Sequence, residues 1–141
     1  LAQELYLVKN AKKIAVLAAG AAAQRFGAKL DNEQEVLVNI ANIANQLFAM
    51  ESVVIRTQKA IERDGVEKAN QKILYTQIFC QEAFAIIEAE AKDTLLASVE
   101  GDAGRMILSA LRKLTRNNPY NLIPKKREAA AKLIEAEKYV V

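Results

Sequence analysis

Apolar positions along this chain recur at helical spacing rather than in the alternation of a half-buried strand. Between residues 31 and 65 the row Val36, Ile40, Ile43, Leu47, Met50, Val54 and Ile61 traces a heptad seam, and Thr57 fills its one polar step. A second row, Leu37, Ala41, Ala44, Phe48 and Ile55, widens that seam into the broad face a bundle helix needs. Asp31 with Gln34 three residues on resembles a capping box at the start, and Asp64-Gly65 stops the helix. At ~1.5 Å per residue it spans roughly 45 Å.

The same reading predicts four further helices. The first runs from about Gln3 to Phe26, with Leu7, Ala11, Ile14, Ala18 and Ala21 on one face and Gly27 as the residue that ends it. The third covers Val66 to about Ser98 and presents Ile73, Cys80, Phe84, Ile87, Ala91 and Leu95, joined by Phe79, Ala83 and Ile86. EGDAG (100–104) makes a turn with Asp102 as N-cap, and a fourth helix to about Arg116 buries Ile107, Leu111 and Leu114. Pro119 breaks it, since proline has no N–H and restricts Asn118 before it. Pro124 then suits the first turn of a last helix that ends near Tyr139. Long helices joined by short turns pack as antiparallel neighbours. The expected fold is therefore all-α: an up-down-up-down four-helix bundle with an additional short C-terminal helix, in one domain spanning 1–141.

Composition agrees with this picture. The chain has five glycines, two prolines and one cysteine, so breakers are few and no internal disulfide is possible. That fits a reducing, cytoplasmic setting, and Cys80 reads as a small core residue. The chain opens on Leu1 with no charged-then-apolar leader, which suggests a piece cut from a longer protein. The net charge of +3 hides a division. From Arg105 onward nine basic residues face only Glu128, Glu135 and Glu137, so this end is +6 and what precedes it is −3.

AVLAAGAAAQRFG (15–27) offers three readings: a phosphate loop, part of a membrane span, or a thin helix that admits a close neighbour. A dinucleotide loop needs G-x-G-x-x-G after a strand, whereas Gly20 stands alone among alanines in mid-helix. The uncharged run from Ile14 to Ala23 is half of what a span requires. Close packing remains, with Ala15, Ala18, Ala19, Ala22 and Gly20 letting the bulky seam of the second helix approach. Histidine is absent, which excludes His-dependent triads and His-ligated metal. Glu88 and Glu90 are two apart and so lie on different sides of a helix. No catalytic, cofactor-binding or metal-ligating residue is assigned.

The basic end supplies the candidate interaction face. Arg105, Arg112 and Arg116 fall on one side of the fourth helix, opposite its apolar row, with Lys113 beside them. Tyr120, Lys125, Lys126 and Arg127 follow the break. Such a face can lie on an anionic membrane, pair with an acidic protein surface, or simply be solvated. Nucleic acid is excluded as a partner, because aromatic residues do not interleave with the basic ones.

Two stretches carry a family resemblance: LDNEQEVLVNIANIANQLFAMESVVIRTQKAIERDG (30–65) and LRKLTRNNPYNLIPKKREAAAKLIEAEKYVV (111–141). With the motifs EQEVL, AMES-VxxRTxKAI and T-R-x-N-P, they resemble the C-terminal helical extension of bacterial acyl-CoA dehydrogenases of the very-long-chain type. AKKIAVLAAGAAAQRFG (11–27) fits the lead-in helix. The resemblance implies a parent enzyme that binds FAD and oxidises a fatty acyl-CoA to the trans-2-enoyl-CoA in β-oxidation. There a carboxylate takes the α-proton, hydride passes to the flavin, and electrons go on to an electron-transferring flavoprotein. Those groups belong to the upstream catalytic portion, so none is carried onto this sequence and no cofactor is expected in it. The implied partners are the catalytic domain of the same chain, a second copy in a homo-oligomer, and an anionic membrane surface on the cytoplasmic side. A free-standing helical adaptor that takes a partner helix is the alternative.

Overall fold

The computed structural model describes residues 1–140, and these contain five α-helices and no strand. They are α1 (Ala2–Phe26), α2 (Gln34–Asp64), α3 (Asn70–Ser98), α4 (Gly101–Thr115) and α5 (Leu122–Ala136). A short 3-10 helix, Gly27–Asn32, links α1 to α2. The α1, α2 and α3 rods form the frame, with α3 at its centre in contact with every other helix. Leu5 lies beside Ile61 and Lys12 pairs with Glu51, while Thr57 bonds Thr76 and Asn42 bonds Glu90, so α1 and α2, and α2 and α3, run antiparallel. The shorter α4 fills the groove between α1 and α3 on the side away from α2, and α5 crosses α3. The result is the helical bundle expected from the spacing.

One apolar core runs through the frame. Leu7, Ala11, Ile14 and Ala18 of α1 meet Ile43, Met50 and Val54 of α2 and Cys80, Phe84, Ile87, Ala91 and Leu95 of α3, with Leu111 of α4 closing one side. Cys80 is fully buried there as a small apolar group, and burial pushes its thiol up to about 12. Thr57 is in phase with the seam and buried, its hydroxyl satisfied 2.7 Å from that of Thr76. Buried hydroxyls need such a partner, and here it comes from the facing helix.

Several local expectations need correction. The second row of α2 does not join the core: Phe48 is 74% and Ile55 44% exposed, Ala41 and Ala44 are exposed, and Leu37 is half-buried. The reason is topological. Apart from the 3-10 link, only α1 and α3 pack on α2 among the described residues, both on its inner side, while α4 and α5 lie elsewhere. Asp31 is no cap either, because it lies in the last turn of the 3-10 helix, where the Glu33 N–H is already taken by the Leu30 carbonyl at 2.9 Å. Glu33 is the N-cap of α2, and the Gln34 side chain reaches back to the Asp31 carbonyl instead. Likewise α4 starts two residues early, at Gly101, with Glu100 as N-cap and Asp102 inside the first turn. Residues 66–69 form turns, so α3 begins at Asn70, and α5 ends at Ala136, where Glu137 adopts a left-handed φ of 48°.

Of the small residues in the thin-helix reading, Ala18 and Ala22 are buried and Ala15 and Ala19 half-buried, but Gly20 faces outward with open space where a Cβ would stand. Close approach governs Gly104 instead: a Cβ there would meet the Val99 carbonyl oxygen at 2.8 Å. A bare Cα at this position lets α4 turn tightly back after α3.

Candidate functional site

The eight basic and aromatic residues singled out from the sequence divide into two groups with different jobs. On α4, Arg105, Arg112, Lys113 and the C-cap Arg116 are exposed, on the side opposite the buried Leu111. Arg105 has an exposed partner in Asp102 at 3.6 Å, a pair of the kind solvent largely neutralises. Arg127 on α5 is exposed as well.

Tyr120 and Lys125 turn partly inward, and with the exposed Lys126 they fasten the chain after the Pro119 break. The Tyr120 hydroxyl donates to the Glu4 carboxyl oxygen at 2.9 Å, and the Lys125 ammonium stands 4.7 Å from the Tyr120 ring centroid. Lys125 also donates to Gln77 on α3 at 2.6 Å, and Lys126 pairs with Glu82 one turn further along α3. Desolvation, with the neighbouring Glu4 carboxyl, pushes the Tyr120 phenol up to about 12. The segment is pinned at its start too, since the Tyr6 hydroxyl donates to the Arg116 carbonyl at 3.0 Å and Gln3 donates to the Asn118 carbonyl. The free cationic surface is therefore the outer side of α4, with Arg127 apart from it.

Glu4 is the residue that the sequence reading missed. It is only 1% exposed and anchors Tyr120. Its position was a usable signal, for Glu4 precedes Leu7, Ala11 and Ile14 in phase with the buried row of α1. Elsewhere, Asn42 donates to Glu90 at 3.2 Å while Glu88 is exposed, so those two glutamates form no pair. An open groove between α2, α3 and α5 is lined by Val53, Phe79 and Leu133 together with Arg56 and Lys72. Among the described residues no group of three or more metal-ligating side chains gathers. The positive-φ glycines 27, 65 and 101 each sit at a helix end, and none makes the strand-to-helix turn that holds a dinucleotide pyrophosphate. No residue described here is assigned to a flavin.

Fold and surface together define an all-α module whose aromatic and basic residues after the break serve its own packing and whose α4 cations face outward. The chain belongs to the family described as acyl-CoA dehydrogenase, C-terminal domain, whose model matches residues 10–113. It is 63% identical over all 141 residues to a protein of Bacillus subtilis (strain 168) named as a probable acyl-CoA dehydrogenase, and covers 24% of that protein. Among solved structures it is similar to a crystal structure of an acyl-CoA dehydrogenase complexed with FAD from Bacillus anthracis. There the TM-score is 0.98 and the identity 62%, over 100% of this chain and 24% of the other. The chain thus spans about a quarter of the length of the relatives it matches.

Proposed function

We propose that this chain is the non-catalytic C-terminal helical domain of a cytoplasmic, FAD-dependent acyl-CoA dehydrogenase of fatty-acid β-oxidation. One observation carries the reading: the whole chain aligns at 63% identity with a quarter of a longer relative named for that activity. When bound, the flavin would accept the hydride that leaves the acyl-CoA, and the residues that hold it belong to the remaining three quarters of the polypeptide. The residues described here fold around their own core and leave that chemistry to the other part. The direct test uses the complete polypeptide, purified and mixed anaerobically with a fatty acyl-CoA. Bleaching of a bound flavin supports the assignment, and an absence of flavin or of bleaching by any chain length refutes it.

Within that enzyme we assign the α4 cations to peripheral contact with an anionic membrane, and to the domain a share in assembly of the homo-oligomer. What supports the membrane contact is the exposure of Arg105, Arg112, Lys113 and Arg116 along one short helix. Each basic residue near anionic lipid contributes roughly 1 kcal/mol. Co-sedimentation with vesicles should rise with anionic lipid content and fall with salt. Equal, salt-insensitive binding to neutral vesicles would discard the membrane contact and leave the enzyme assignment standing.

A further inference from the structure

The outer side of α2 is an apolar surface that nothing in this bundle covers. Val38 is 56%, Phe48 74% and Ile55 44% exposed, and Ala41 and Ala44 lie between them on the same outer side. From Val36 to Met50 the helix has no charged residue on any side, and no lysine or arginine occurs between Lys29 and Arg56. The one charge within the stripe's length is Glu51 at its edge, paired with Lys12 of α1, and basic residues return only where the stripe ends, at Arg56 and Lys59. The stripe is therefore about 18 residues, or ~27 Å, long. Isolated apolar side chains on a surface need no explanation, but a continuous apolar stripe of this length marks a covered face.

By length and composition α2 could also cross a membrane. Its inner row argues otherwise, since Ile43, Met50, Val54 and Thr57 are buried against α1 and α3. Helices that lie on anionic lipid carry basic residues beside their apolar stripe. Here the polar positions beside or within the stripe are Asn45, Glu51 and Ser52, none of them basic, and Ser52 turns its hydroxyl back to the Phe48 carbonyl. Small alanines beside a protruding phenylalanine, with the one bordering carboxylate already paired to Lys12, suit a permanent protein interface, because obligate interfaces are more apolar than transient ones.

We infer that the outer side of α2 docks on the catalytic portion of the same polypeptide and fixes the orientation of this bundle against it. The inference rests on the reading above, that the chain is a domain of a longer enzyme. The occupant is argued from chain length. Both relatives that keep this sequence over all 141 residues carry three quarters of their length outside it. A face tethered to so large a folded neighbour meets it at high effective concentration, whereas a second copy or a soluble partner does not.

The test is thiol labelling, with Phe48→Cys and Val38→Cys made separately in the 141-residue chain, which has its own core, and in the complete polypeptide. Cys80 is buried and provides an unreactive background. Lys92→Cys on the exposed side of α3 is the control, and flavin reduction by acyl-CoA is measured on the same complete samples. The inference expects both α2 cysteines to react with a maleimide at least about tenfold more slowly in the complete polypeptide, with the control unchanged. Equal rates in the two contexts would overturn it. So would protection of the short chain that grows with its concentration, which assigns the face to a second copy, or protection only on adding vesicles. A complete polypeptide that protects α2 yet shows no flavin reduction refutes the enzymatic assignment while retaining the docking face.

Discussion

The Thr57–Thr76 hydroxyl pair joins α2 to α3 through a 2.7 Å hydrogen bond in a buried setting, so its strength can be isolated by a double-mutant cycle. Thr57 is 4% and Thr76 2% exposed, which leaves neither hydroxyl access to solvent. Replacing Thr57 with valine keeps the shape and branching but orphans the Thr76 hydroxyl, at a cost of about 1–3 kcal/mol. A threonine in a helix can turn its hydroxyl to the carbonyl four residues back, so the lower half of that range, about 1–1.5 kcal/mol, is expected. Thr76→Val should cost the same for the same reason. The double variant removes both polar groups and should lie within about 0.5 kcal/mol of the parent. The coupling is then close to the sum of the two single losses and opposite in sign, about 2–3 kcal/mol in size when the double variant matches the parent. Urea unfolding of the four proteins supplies the values, provided the slope with denaturant stays constant. Additive losses, with the double variant worst of all, would show that the two hydroxyls do not satisfy one another and that α2 sits differently on α3.

Three further outcomes follow from the packing. In the 141-residue chain Met50→Ala should cost about 2–5 kcal/mol and Phe48→Ala less than about 0.5, since one side chain is fully buried and the other exposed; equal shifts in thermal midpoint would mean that the faces of α2 are reversed. Gly20→Ala should stabilise by about 0.5–1 kcal/mol in open space, whereas Gly104→Ala should destabilise by up to about 2, because its Cβ would press on the Val99 carbonyl; calorimetry of the two variants distinguishes them by sign. Tyr120 holds its proton more tightly in the fold than in the unfolded chain, so its contribution is complete below pH 10 and lost as pH rises toward about 12. Cys80 acts in the same direction from about pH 9 upward. Tyr120→Phe should flatten part of that alkaline decline in urea unfolding, and an unchanged decline would count against the Tyr120–Glu4 bond.

Much of the frame is written in the spacing of apolar residues, because helix packing depends on which positions share a face. The seam from Val36 to Ile61 was legible with Thr57 as its one polar step, but the Thr76 hydroxyl that satisfies it belongs to another helix and was not. The outer row of α2 shows where that logic stops. Periodicity reveals that Phe48 and Ile55 share a face, but not whether the partner for that face lies inside the same 141 residues. Caps were misread for a related reason. Asp31 and Asp102 are suitable side chains, yet the 3-10 link and the early start at Gly101 supply backbone geometry that composition does not encode.

The basic end was legible as charge and not as function. The run Lys125-Lys126-Arg127 looks uniform, but a break at Pro119 folds the chain back so that two of the three meet Gln77 and Glu82 on α3. Tyr120 turns inward because Glu4, in phase with the core row of α1, waits there as a buried acceptor. What stays outward is the α4 set, defined by its place opposite Leu111.

The central claim is that this bundle is a packing domain of a flavoenzyme and does no chemistry of its own. Its most direct test is turnover of a fatty acyl-CoA with an electron acceptor, measured side by side for the 141-residue chain supplied with FAD and for the complete polypeptide. The account predicts flavin-dependent product from the complete polypeptide and neither bound flavin nor product from the short chain. Flavin retention with product formation by the short chain alone would contradict it.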